Sequence, residues 1–203
     1  TILEPAPLVV TVLPTHALCN GGTGSALALV NGGSHPFIYS WSNNTYTSNV
    51  SGLYPGNYSV NVIDVNGCQS TGTTTITEPN TISIFSSSTN VNCNGGNDGS
   101  AVVNVTGGTQ TYNYGWSGGS DVNLIAGTYT STITDANGCI TSQDFTITEP
   151  TAISVQFIRD SVSCGGGSDG MATVIVTGGT GVYNLLWDDG STGNVVTTFD
   201  AGY

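Results

Sequence analysis

Apolar and polar residues alternate in short runs along this chain, and the runs recur in a fixed order. Leu8, Val10 and Val12 share one face of an extended segment, as do Ile82 and Ile84, and then Ile153, Val155 and Phe157. A period of two marks β-strands, because successive side chains leave a strand on opposite faces. A second apolar run follows at 26–30, 101–105 and 172–176, and each ends at a glycine pair: Gly32-Gly33, Gly107-Gly108 and Gly178-Gly179. A third run is aromatic, with Phe37, Tyr39 and Trp41, then Tyr112, Tyr114 and Trp116, then Tyr183, Leu185 and Trp187 at alternate positions. No stretch shows the period of 3.6 that a surface helix needs, so no helix is predicted.

The order of these runs is punctuated by one motif, Thr-Ile-x-Glu-Pro, which starts at Thr1, Thr75 and Thr146, 74 and 71 residues apart. Self-similarity at a fixed period makes the chain an array of one unit. The units read as the tail of a preceding repeat (1–5), repeat 1 (6–79), repeat 2 (80–150) and an incomplete repeat 3 (151–203). Within them Leu53-x-x-Gly56-x-Tyr58 matches Leu124-x-x-Gly127-x-Tyr129, and the third copy reads Phe199-x-x-Gly202. This pattern resembles the tyrosine corner of immunoglobulin-like sandwiches. An alternating strand then reaches Asp64-Val65-Asn66-Gly67-Cys68 or Asp135-Ala136-Asn137-Gly138-Cys139, where Asn-Gly predicts a tight hairpin turn. The expected fold is all-β: tandem immunoglobulin-like β-sandwich modules of about 70–75 residues, each with about seven short strands. Trp41, Trp116, Trp187, Tyr58 and Tyr129 are expected in the cores, with an aromatic platform for sugar rings as the rival reading of the tryptophans. A unit this small buries little surface and needs staples or neighbours.

Charge narrows the function. Of 203 residues thirteen are acidic and one, Arg159, is basic, for a net charge of −12. That balance excludes nucleic-acid binding, which needs lysine and arginine against phosphate, and electrostatic docking on anionic lipid. No apolar run is long enough to span a bilayer, so no membrane insertion is expected in this segment. The chain starts and stops inside modules, so an export signal or anchor is expected outside it.

Five cysteines remain: Cys19, Cys68, Cys93, Cys139 and Cys164. They allow three readings. One pairs them within modules, Cys19 with Cys68 and Cys93 with Cys139, leaving Cys164 unpaired. In an immunoglobulin-like strand order, however, the first cysteine of a module precedes its second strand and the other opens its last strand at the opposite pole. A strand of six or seven residues spans about 20 Å, whereas bridged Cα atoms lie within about 7 Å. Head-to-tail stacking would instead bring Cys19 to Cys139 across a module boundary, with Cys68, Cys93 and Cys164 pairing elsewhere. Free thiols or a metal site form the third reading, although no Cys-x-x-Cys occurs. Either bridged scheme implies an oxidising, extracellular compartment.

Catalytic chemistry has little to work with. His16 and His35 occur in repeat 1 alone, no carboxylate pair recurs beside a nucleophile, and the glycine pairs lie between strands rather than before a helix. No enzyme activity and no cofactor are expected. Calcium is the one ligand to weigh: Asp64 and Asp135 sit beside Asn-Gly turns, and Asp98 and Asp169 lie in Gly-rich loops. Calcium takes six to eight oxygens, and one aspartate per loop is thin; the competing account is that aspartate favours turns by bonding local backbone.

Taken together, Cys-Asn-Gly-Gly-x-Asp-Gly-Ser-Ala from Cys93 to Ala101, Val105-Thr106-Gly107-Gly108-Thr109, Tyr-x-Tyr-x-Trp, Leu-x-x-Gly-x-Tyr and Asp-x-Asn-Gly-Cys resemble the SprB-type repeat of giant cell-surface adhesins from gliding bacteria. Repeat 1 departs from the pattern: its loop is one residue shorter and lacks the aspartate found at Asp98 and Asp169. The resemblance implies export by the type IX system, display at the cell surface as filaments, and roles in adhesion and gliding. It makes neighbouring repeats of the same chain the first partners, with extracellular polysaccharide or other filaments beyond them. The alternative is a carbohydrate-binding or spacer array in a large secreted enzyme.

Overall fold

The computed structural model describes residues 6–199, with fifteen strands and no helix among them. Residues 1–5, read as the tail of a preceding repeat, and Gly202 of the third corner motif lie outside the described residues. The first module contains β1 (Val9–Thr15), β2 (Gly24–Asn31), β3 (Ile38–Trp41), β4 (Asn49–Leu53), β5 (Gly56–Ile63) and β6 (Gln69–Ile76). They form two three-stranded antiparallel sheets, ordered β1-β2-β4 and β3-β5-β6. The chain therefore changes sheets between β2 and β3, between β3 and β4, and between β4 and β5.

Six strands stand where about seven were expected. After Trp41 the chain reverses in a tight turn, in which Asn44 N–H donates to the Trp41 carbonyl and Trp41 N–H donates to the Thr45 carbonyl. It then crosses directly to pair β4 with β2, leaving no residues for a further edge strand.

Two compact units divide the chain. One comprises Thr1–Phe85, Asn104–Gly115 and Thr132–Ser142; the other comprises Ser86–Val103, Trp116–Ser131 and Gln143–Tyr203. The first unit's core lies between its two sheets: Ala26 and Ala28 from β2, Val50 and Leu53 from β4, Trp41 from β3, Val60 and Val62 from β5, and Ile76 from β6. Trp41 is 2% exposed, and its indole Nε1–H donates to the Thr47 carbonyl at 2.8 Å, so the largest apolar surface is buried without orphaning its one polar atom. Val10 and Val12 of β1 close one side of this core against Gly72 of β6. A Cβ at Gly72 would lie 2.7 Å from Val12 Cγ2 and 2.9 Å from Val10 Cγ1, so glycine is what lets β1 approach. Tyr58 hydroxyl donates to the Tyr54 carbonyl at 2.9 Å, which is the tyrosine-corner geometry and fixes the entry into β5.

The middle module has β7 (Ser83–Thr89), β8 (Gly99–Thr106), β9 (Asn113–Trp116), β10 (Val122–Leu124), β11 (Gly127–Thr134) and β12 (Ile140–Ile147), in sheets ordered β7-β8-β10 and β9-β11-β12. In the second unit Val91, Ala101, Leu124 and Ile147 are buried, with Trp116, Tyr129 and Phe145 packed on them. Phe145 meets Trp116 edge-on at 5.6 Å and Tyr129 stacked at 6.0 Å. Tyr129 repeats the corner, donating to the Ile125 carbonyl at 3.1 Å. Ser131 is fully buried, at the position that Val60 holds in the first module, and its hydroxyl has no partner among the described residues. The third module contributes β13 (Ser154–Asp160), β14 (Gly170–Thr177) and β15 (Val195–Phe199) as one sheet, with Ala172 and Val174 buried. Trp187 is half-buried and meets Phe157 edge-on at 6.4 Å.

Candidate functional site: a covalent joint between modules

The first unit holds the boundary between modules 1 and 2, and four repeated motifs converge there. The Cys19-Asn20-Gly21 loop, which connects β1 to β2, folds onto the Glu78-Pro79 junction that follows β6. Gly21 N–H donates to Glu78 Oε2 at 2.5 Å, and Asn20 Nδ2 donates to the Pro79 carbonyl at 3.2 Å. Thr81 hydroxyl donates to Asn20 Oδ1 at 2.9 Å. Behind this loop Ala17 N–H donates to the Thr77 carbonyl, and His16 Nδ1 accepts from Thr77 N–H at 3.2 Å. The Thr-Ile-x-Glu-Pro motif is thus the acceptor for the cysteine loop of its own module.

From the other side the junction is gripped by the Gly107-Gly108 turn. Gly108 N–H donates to the Asn80 carbonyl at 2.8 Å. A Cβ at Gly107 would fall 2.0 Å from the Thr81 carbonyl oxygen, and its φ of 78° is left-handed, so only glycine fits. Asp135 ties this turn to the Asn137-Gly138 hairpin. Its Oδ2 accepts from Thr109 N–H at 2.8 Å, and its Oδ1 accepts from the N–H groups of Asn137 and Cys139, each at 2.9 Å. The Thr109 bond, with those from Cys139, Asn137 and Gly138, outweighs burial and holds the Asp135 carboxyl below its ordinary value. Asp64 repeats the clamp with Ser34, Asn66 and Cys68; there burial is the largest single influence and works upward, but the sum of these hydrogen bonds carries the carboxyl downward.

The hairpin then meets the cysteine loop. Asn137 Nδ2 donates to the Leu18 carbonyl at 2.9 Å, and Cys19 and Cys139 form a disulfide with Cα atoms 5.7 Å apart and 120 residues between them in sequence. A shallow groove beside the bridge is lined by Pro79, Thr81, Ile82, Gly108 and Ile140.

Within-module pairing of Cys19 with Cys68 and of Cys93 with Cys139 does not form. Cys19 lies before the start of β2, whereas the Asp64 turn lies beyond its end, where Asp64 takes the Ser34 N–H. The eight residues of β2 put about 25 Å between those positions. Cys68, Cys93 and Cys164 carry exposed free thiols.

The second unit repeats the loop side of the joint. Gly95 N–H donates to Glu149 Oε2 at 2.6 Å, Asn94 Nδ2 donates to the Pro150 carbonyl at 3.1 Å, and Gly179 N–H donates to the Thr151 carbonyl at 2.8 Å. Asn90 Oδ1 accepts from Thr148 N–H where His16 stands in the first module. Asp98 and Asp169 close their own loops: Asp98 accepts from the backbone N–H and side chain of Asn92, and Asp169 from the side chain and N–H of Ser163. Those bonds lower both carboxyls. The four aspartates weighed for calcium stand in four separate loops, and no group of three His, Cys, Asp or Glu side chains clusters among the described residues. The tryptophans differ in depth: Trp41 is buried, and Trp116 and Trp187 are half-buried.

Sequence reasoning missed the Glu-Pro acceptor. The signal was present, because both the Cys-Asn-Gly loop and the Glu-Pro motif recur in step. What it could not reveal is that they meet, since 57 residues separate Gly21 from Glu78.

Comparison with known families returns the SprB repeat, matched at residues 86–121 and again at 159–192. Each match runs from the first strand of a module through the cysteine loop and glycine pair to the region of the aromatic strand. No curated protein matches the chain. The SprB repeat is a structural repeat of the adhesin type and not a catalytic family.

Proposed function

We propose that this chain is a stalk segment of a secreted, filamentous cell-surface adhesin, serving attachment and gliding by reach and stiffness. The observation that carries this reading is the Cys19–Cys139 bridge across a module boundary. Joints between domains of one chain are mobile by default; a disulfide set on a hydrogen-bonded junction removes that freedom. Such a bridge persists in oxidising surroundings, which favours an extracellular place. The outward side chains of β5 and β6, Asn57, Ser59, Asn61, Thr71, Thr73 and Thr75, are polar and uncharged, suited to a surface that stays soluble without offering basic sites to proteases. Neighbouring repeats are its direct partners, with polysaccharide or other filaments met elsewhere along the assembly.

A carbohydrate-binding role for the tryptophan strand has less support, because Trp41 is 2% exposed and cannot stack on a sugar ring. Immunogold electron microscopy of the source cells, with antibody raised against this segment, tests the proposal. Label spaced along thin surface filaments is expected. Label on compact particles, or only in the medium, would overturn it.

A further inference from the structure

Each joint half recurs without its partner, and the two orphan halves are complementary. The Asp135–Cys139 turn that engages Cys19 has a copy at Asp64–Cys68, with the same three N–H bonds to the aspartate. The Cys19-Asn20-Gly21 loop has a copy at Cys93-Asn94-Gly95, hooked by Glu149 and Pro150 as the first is hooked by Glu78 and Pro79. Beside Cys93 lies a groove lined by Asn94, Pro150, Thr151, Ile153 and Gly179. Residue for residue these match Asn20, Pro79, Asn80, Ile82 and Gly108 beside Cys19, where the groove is completed by Asp135, Gly138 and Cys139. The engaged cysteines are half-buried, while Cys68 and Cys93 are exposed.

We infer that the groove at Cys93 is a receptor for an Asp-x-Asn-Gly-Cys turn from another module of this type, and that docking ends in a disulfide to Cys93. The Asp64–Cys68 turn is such a ligand. Its Asn66 stands where Asn137 stands and would donate to the Asn92 carbonyl as Asn137 donates to that of Leu18. The inference rests on the head-to-tail reading of the modules and names what each open joint accepts. Chemically the step is thiol–disulfide exchange. Oxidised glutathione first caps Cys93, releasing one reduced glutathione; the Cys68 thiolate then attacks the Cys93 sulfur, and the second glutathione thiolate leaves and takes up a proton. Two protein thiols lose two electrons and two protons, and one oxidised glutathione becomes two reduced ones.

Two preparations of the full chain test this. One carries Cys93→Ser and Cys164→Ser, so that Cys68 is its free thiol; the other carries Cys68→Ser, leaving Cys93 and Cys164. Both keep Cys19 and Cys139. They are mixed in reduced and oxidised glutathione, and linkages are read by peptide mapping without reduction. Cys68–Cys93 links are expected to exceed Cys68–Cys164 links about tenfold, the ratio that one added hydrogen bond with its packing supports. Asn66→Ala in the first preparation, which leaves Cys68 untouched, is expected to cut their yield several-fold. Links divided evenly between Cys93 and Cys164, or thiols ending only as glutathione adducts, would overturn the inference. Either result leaves the Cys19–Cys139 peptide in the same map, so the stalk reading is judged separately by the surface labelling.

Discussion

If the chain bears tension, the bridge decides which residues feel it. A pull applied at the two ends enters through β1, reaches Cys19, crosses the disulfide and leaves from Cys139 into β12. Strands β2 to β11 lie inside the closed loop, so their chain cannot be extended while the bridge holds. Reduction, or Cys19→Ser with Cys139→Ser, returns that loop to the path. The bridged residues are 120 apart in sequence, and extended chain spans about 3.3–3.6 Å per residue, so the loop hides about 400 Å of contour length. The native Cα separation of 5.7 Å is negligible beside it. Single-molecule force spectroscopy of the 203-residue chain, held by handles at both ends, reads this directly. The oxidised chain should release only the contour of residues outside the loop; the reduced chain should release about 400 Å more, as added unfolding steps. Equal total release with and without reductant would refute the load path. The same closure removes freedom from the unfolded chain, on the order of 5 kcal/mol by the loop-entropy relation and commonly less, so reduction should also lower the denaturant midpoint of the first unit.

Three other substitutions or conditions probe particular contacts. Ser131→Val places at a fully buried site the side chain that Val60 supplies in the first module and removes an unpartnered hydroxyl; urea unfolding should show a gain of about 1–2 kcal/mol, and a loss would mean the hydroxyl is satisfied. Gly72→Ala drives a methyl into Val10 and Val12 and should cost about 1–3 kcal/mol in the same assay, whereas the equivalent change at the open Gly67, if tested, reports only backbone strain. Asp64 and Asp135 have carboxyls held below 3.8 in the folded chain, so the stability they supply is complete above that value and is lost as pH falls through the lower folded values. A thermal melting series in acid should fall there, and Asp64→Asn with Asp135→Asn should flatten it; an unchanged slope would mean that other groups set it.

The sequence by itself determined what is local. Period-two alternation placed Val10, Val12, Val60 and Val62 on inward faces, and the Leu-x-x-Gly-x-Tyr spacing fixed a corner whose tyrosine bonds only four residues back. Register and corner geometry act over a few residues, so the chain writes them where they occur. What remained open were the contacts closed over long separations. Three readings of the cysteines were compatible with the spacings, and only the stacking of a loop on a hairpin brings Cys19 and Cys139 to 5.7 Å. The strand count was read one too high because the return from β3 to β4 depends on which sheet the chain rejoins, a matter of packing. The Glu-Pro motif looked like punctuation, a stop to strand pairing. Its glutamate is an acceptor for a glycine N–H 57 residues away, and that role exists only once the module has folded and presents both ends at one pole. A backbone donor carries no side-chain signature, so the joint recurrence of the two motifs marks both without showing that they meet.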